Sequence, residues 1–221
     1  MQVTINAKRL TRTLFICLVS LFLVNLVLML VTGLRYRGLL LNQLFHKFYF
    51  DSKFNLPSFF NTLLLLIATG ILYYVHIAYA RKYVKELKWF WLAVLFFLMA
   101  IEENVSVHVF LGTLQPSFLA WVIPVGVALI ALVAYFGQLV YKVPRKIAIG
   151  FVMSGIVYIT GAIVLQLTGA RLEPVVGKWS AVYAGISTLE ETLEMLGVIM
   201  FIHYMLEYVK VEFPSVNVIV K

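Results

Sequence analysis

Ser187-Thr188-Leu189-Glu190-Glu191-Thr192-Leu193-Glu194 sets three carboxylates inside an apolar run that otherwise reads as the last membrane-spanning helix. At about 100° per residue, Glu190, Glu191 and Glu194 fall within an arc of about 100°, so all three can face one neighbour or cavity. A second acidic pair, Glu102-Glu103, interrupts another apolar run. The central question is whether these two acidic segments meet.

Around them the chain has the composition of a membrane protein. Of 221 residues, 62% are hydrophobic and 13% charged, and the mean hydropathy is +0.96, outside the range of soluble globular domains. The formal charge of +8 lies largely in short connections between apolar runs, where it sets membrane orientation; no nucleic-acid partner is expected. The single cysteine, Cys17, excludes an internal disulfide framework and a cysteine-rich metal site. Lys8, Arg9 and Arg12 precede the first apolar run without a small-residue cleavage site, which reads as a retained signal anchor.

Six runs, near 14–31, 59–79, 89–111, 118–141, 147–168 and 179–208, are each about long enough to cross a hydrocarbon core of roughly 30 Å as a helix. None alternates as a barrel strand does. The expected fold is an all-α integral membrane protein, a single transmembrane domain over 1–221 with six helices and the lipid bilayer as its surroundings. Basic residues before helix one, between helices two and three, and between helices four and five place both termini on the cytoplasmic side. The segment 33–57 carries Arg35, Arg37, Lys47 and Lys53 among Leu, Phe and Tyr, and reads as an interfacial helix or a partly re-entrant cover. Gly150, Ser154, Gly155 and Gly161 in helix five suit close approach of neighbouring backbones, and Pro124 bends helix four.

At about 1.5 Å per residue, Glu103 and the Glu190–Glu194 cluster share a depth, near Asn25, Asn104, Tyr158 and Thr160. Five carboxylates at that depth cost on the order of 10 kcal/mol unless something compensates. Either several carry protons or a cation sits among them. A divalent metal held by Glu103, Glu190, Glu191 and Glu194, with His108 and Glu102 as further ligands, is one reading, and hard oxygen donors suit Mg, Ca or Mn. His108 lies five residues from Glu103, about 140° round a regular helix, while Asn104 and His108 align at i, i+4. Haem between His76 and His203 is an alternative cofactor.

The segments Leu98-Met99-Ala100-Ile101-Glu102-Glu103-Asn104-Val105-Ser106-Val107-His108 and Leu189-Glu190-Glu191-Thr192-Leu193-Glu194-Met195-Leu196-Gly197 resemble those of a broad group of uncharacterised bacterial multi-pass membrane proteins. Phe54-Asn55-Leu56-Pro57-Ser58-Phe59 extends the resemblance, which covers the chain from about Asn55 onward. In that pattern an acidic pair and a histidine share one helix and an EExxEMxG motif lies in the last; many members have a carboxylate after the histidine, where this chain has Val109. The resemblance implies a shared multi-pass membrane architecture and a shared acidic site, but no activity; in a bacterium the membrane would be the plasma (inner) membrane. Three functions remain open on the sequence: a membrane metalloenzyme acting on a lipid-type substrate, a proton- or cation-coupled transporter, and a non-catalytic accessory subunit of a larger membrane complex; the partners expected are a homo-oligomer or such a complex.

Overall fold

Half of the most apolar window of the last long helix is buried within the protein, against 17% for the first helix, which makes the last helix the axis of the bundle. The computed structural model describes residues 3–32, 39–52, 54–83, 86–105, 118–214 and 218–220. In chain order these form β1 (Val3–Ile5), α1 (Ala7–Thr32), α2 (Leu39–Phe48), α3 (Leu56–Lys82), α4 (Leu87–Val105), α5 (Phe118–Val140), α6 (Arg145–Ile159), a π-helical turn (Thr160–Leu165), α7 (Gln166–Val176), α8 (Ala181–Glu212) and β2 (Val218–Val220).

The protein is α-helical, with several helices apolar and long enough to cross a membrane. Among the described residues these are Ala7–Val31, Leu56–Lys82, Arg145–Val176 and Ala181–Glu212. Sequence reading did not include the terminal strands. They pair in parallel, Val3 with Val218 and Ile5 with Val220, and bring the two ends of the described chain together.

Helix α8 packs against α1, α3, α6, the π turn and α7, while α4 pairs with α3 and α5 touches α4. The core joins Met195, Ile199, Ile202, Met205 and Leu206 of α8 to Leu64, Leu65, Leu72 and Val75 of α3 and to Leu14 and Leu18 of α1. Stacked rings, Trp89 on Tyr208 at 5.5 Å and Phe96 on Phe201 at 4.9 Å, tie α4 to α8. The outer faces stay apolar: Leu23, Val27 and Leu30 of α1 and Val127, Ile130 and Val133 of α5 are exposed, as lipid-facing positions require.

Glycines set how near α6–α7 comes to α8. A Cβ on Gly197 would lie 2.8 Å from Tyr158 N and 2.9 Å from the Ser154 carbonyl, and one on Gly161 would lie 2.6 Å from the Glu190 carbonyl. Backbone meets backbone there, in the close approach that small residues permit between helices in lipid. Gly155, one residue after Ser154, faces open space, so the small-residue series is not one continuous seam. Pro124 lies in α5 among residues whose side chains are outside the described set.

The two ends of the bundle are tied by different contacts. At one end Lys82 bonds Glu212 at 2.8 Å, Lys142 pairs with Glu86, and Lys88 bonds Gln138. At the other, α2 lies across the start of α8: Phe45 and Tyr49 pack with Ala184, and the His46 and Tyr49 rings meet Trp179. Helix α3 starts three residues earlier than its apolar run suggests because Asn55 caps it. Asn55 Oδ1 accepts from Ser58 N at 2.8 Å, and Asn55 N donates to Ser58 Oγ at 3.2 Å, a reciprocal capping box with Pro57 in the first turn.

Candidate functional site: a buried polar seam

The two acidic segments approach each other around one tyrosine. Tyr158 of α6 lies within electrostatic reach of Glu194 and Glu191 of α8 and of Glu103 and Glu102 of α4. Helix α8 delivers its pair because Glu190 and Glu194, four residues apart, share the face packed on the π turn and α7. The Glu194 Cγ is 3.1 Å from where a Gly161 Cβ would stand, and Glu190 Oε2 is 4.0 Å from the equivalent point on Gly169. The π turn from Thr160 to Leu165 adds width to the helix at this point, and the side-chain-free Gly161 fits against the α8 backbone.

Further bonds stitch helices together. Asn61 Nδ2 of α3 donates to Glu103 Oε2 of α4 at 2.9 Å, with both residues buried. Asn25 Nδ2 of α1 donates to Thr188 Oγ1 of α8 at 3.0 Å, and Thr188 in turn donates to the Ala184 carbonyl at 2.7 Å. Asn61 Oδ1 and Asn25 Oδ1 are buried acceptors without a hydrogen-bond donor among the described residues. Asn25 therefore meets the helix that carries Glu190, Glu191 and Glu194. Asn61 escaped notice because a helix starting at 59 leaves it at the membrane surface, whereas one starting at Leu56 carries it about 8 Å inward.

The expected metal centre is corrected by this geometry. Among the described residues, no group of three or more His, Cys, Asp or Glu side chains could hold a metal ion. The carboxyls spread over separate helix contacts: Glu103 is engaged by Asn61, Glu194 passes Gly161, and Glu190 reaches towards Gly169. Glu191 and Glu102 do not close a set with them. His108 lies outside the described residues. Among the described residues the shared metal site, and the metalloenzyme reading built on it, are corrected by this spread.

Haem is corrected likewise. His76 Nδ1 lies 3.2 Å from the Glu86 carbonyl, with its ring against Phe90 of α4. His203 Nδ1 lies 3.3 Å from Thr11 Oγ1 and its ring lines a groove against α1. The two imidazoles are committed to different helix pairs, and a bis-histidine haem needs facing rings across a common cavity.

Outside the membrane-spanning segments, the Lys142 ammonium, through its hydrogen bond, holds the Glu86 carboxyl below the usual glutamate range. Burial, followed by the Asp51 carboxylate, pushes the Tyr49 hydroxyl well above its ordinary value.

No curated protein and no solved structure matches the chain. One family model does, over residues 13–209, a span that takes in both acidic segments and the glycines between α6 and α8. The chain belongs to this family, DUF8692, a domain of unknown function.

Proposed function

We propose that this chain is a non-catalytic component of a membrane assembly, and that its intramembrane carboxyls carry protons and serve as hydrogen-bonding groups between helices. The observation that carries this reading is the Asn61–Glu103 bond. An amide that donates to a buried carboxyl while its own Oδ1 lacks a donor is matched by a carboxylic acid, which accepts through one oxygen and donates through the other. An ionised carboxylate offers no such donor, and placing one in low dielectric costs several kcal/mol. Asn25–Thr188 adds an amide-to-hydroxyl bond between α1 and α8.

In this reading the chain crosses the membrane six times, α4 and α5 making the third and fourth crossings, with both termini in the cytoplasm. Three observations support it: the parallel pairing of β1 with β2, the Lys82–Glu212 and Lys142–Glu86 pairs at one end, and the excess of Lys and Arg in those connections. If the resemblance to bacterial proteins holds, the membrane is the inner one. Partners are further membrane helices, of a second copy or of a larger complex.

Crosslinking in native membranes, followed by purification in mild detergent, tests the reading. Wild type and Glu191→Gln should both migrate above the monomer, with equal yield. A protein that stays monomeric, and whose reconstituted vesicles move protons or turn over lipid in a way Glu191→Gln abolishes, would contradict it.

A further inference from the structure

A groove of about 430 Å³ opens between α1 and α8 at the basic end of the bundle. The helices run antiparallel there, since Thr11 meets His203 while Asn25 meets Thr188. On α1, Lys8, Arg12 and Phe15 follow one another down a single stripe, with the cations nearer the mouth and the ring about 10 Å deeper than Lys8 and about 5 Å deeper than Arg12. On α8, His203 is level with the mouth, and Met200 and Leu196 continue inward. Thr11 gives its hydroxyl proton to the Ala7 carbonyl at 2.8 Å, so in the 3.3 Å contact with His203 the imidazole N–H donates. That bond holds the ring at the groove wall.

Among the described residues, the lining carries cations and no carboxylate. Lys82 and Lys142, at the same end, have Glu212 and Glu86, but among the described residues no carboxylate pairs with Lys8 or Arg12. Glu207 follows a turn beyond His203 on α8 and does not line the groove. Two cations over an apolar trough at the membrane surface are complementary to a molecule with a phosphate at one end and a hydrocarbon chain at the other. A free phosphate would use the cations and leave the trough unused.

We propose that the groove between α1 and α8 binds an anionic phospholipid, its phosphate at Lys8 and Arg12 and one acyl chain along Phe15, Met200 and Leu196. The test is a lipid titration of the full-length protein in detergent, read by native mass spectrometry, with phosphatidylglycerol against phosphatidylcholine of the same chains. Wild type should retain phosphatidylglycerol preferentially. Removing both charges (Lys8→Gln with Arg12→Gln) should weaken that binding about 30-fold and leave phosphatidylcholine unaffected. Met200→Trp, which fills the trough without changing charge, should weaken it too and serves if the charge variant does not fold. Arg145→Gln with Lys146→Gln, the same charge lost at the same end but outside the groove, should leave it unchanged. Equal retention of the two lipids by wild type, equal loss in the two double variants, or displacement of phosphatidylglycerol by inorganic phosphate would overturn the proposal.

Discussion

Asn61 and Glu103 show how much a single buried amide matters in this bundle. Replacing Asn61 with Leu removes the donor at 2.9 Å from the buried Glu103 carboxyl, which should cost about 1 kcal/mol in denaturant unfolding in detergent. The Asn25–Thr188 bond joins an amide to a hydroxyl, and a double-mutant cycle with Asn25→Ala and Thr188→Val should return a coupling of about 0.6 kcal/mol. At this scale the sequence was partly readable. Acidic residues in apolar runs stand out wherever the helix ends fall, so Glu103 and Glu190–Glu194 were found directly. Asn61 was not, because its depth depends on a helix start set by Asn55 and Ser58, and the Asn-x-x-Ser box differs from the common Ser/Thr-x-x-Glu form. Which way each carboxyl points was also beyond the sequence. Helical phase puts Glu190, Glu191 and Glu194 on one arc, but the π turn and glycines of the neighbouring helix separate where they lead.

Among the elements, the contact of α6–α7 with α8 is the most demanding, since at Gly161 and Gly197 it leaves no room for a methyl group. Gly197→Ala should lower stability by about 1–3 kcal/mol through overpacking against backbone atoms that cannot yield. Gly155→Ala and Gly185→Ala, which meet nothing within 4 Å, should instead leave stability unchanged or raise it by up to about 1 kcal/mol through helix propensity. Thermal unfolding of the three variants separates the two classes. Small residues at helical spacing were visible in the sequence, yet nothing in the spacing distinguishes Gly161 from Gly155; only the partner's position does. The Lys142–Glu86 pair between the α3–α4 and α5–α6 connections adds a pH dependence. Glu86 has its folded value lowered from 4.5, so its stabilisation is full above that pH and is lost as pH falls through the folded value. Lys142→Gln should flatten that acid limb, by a small amount because the lysine is open to solvent.

For the whole molecule, membrane character and helical class were plain from hydropathy, because crossing a bilayer demands long apolar runs that few other structures produce. The strand pair β1–β2 was not, since three-residue strands at the two ends leave no periodic signal. Reporter fusions at the two termini should report the same cytoplasmic side, and reporters on opposite sides would remove the even-crossing topology. The central claim is that the buried acids are neutral and hold helices together. Infrared spectroscopy of the carboxylic C=O stretch at neutral pH, on wild type and a folded Glu103→Gln variant, tests it most directly. A protonated-carboxyl band in wild type that diminishes in Glu103→Gln is the predicted result; a wild-type spectrum with ionised carboxylates alone would contradict it.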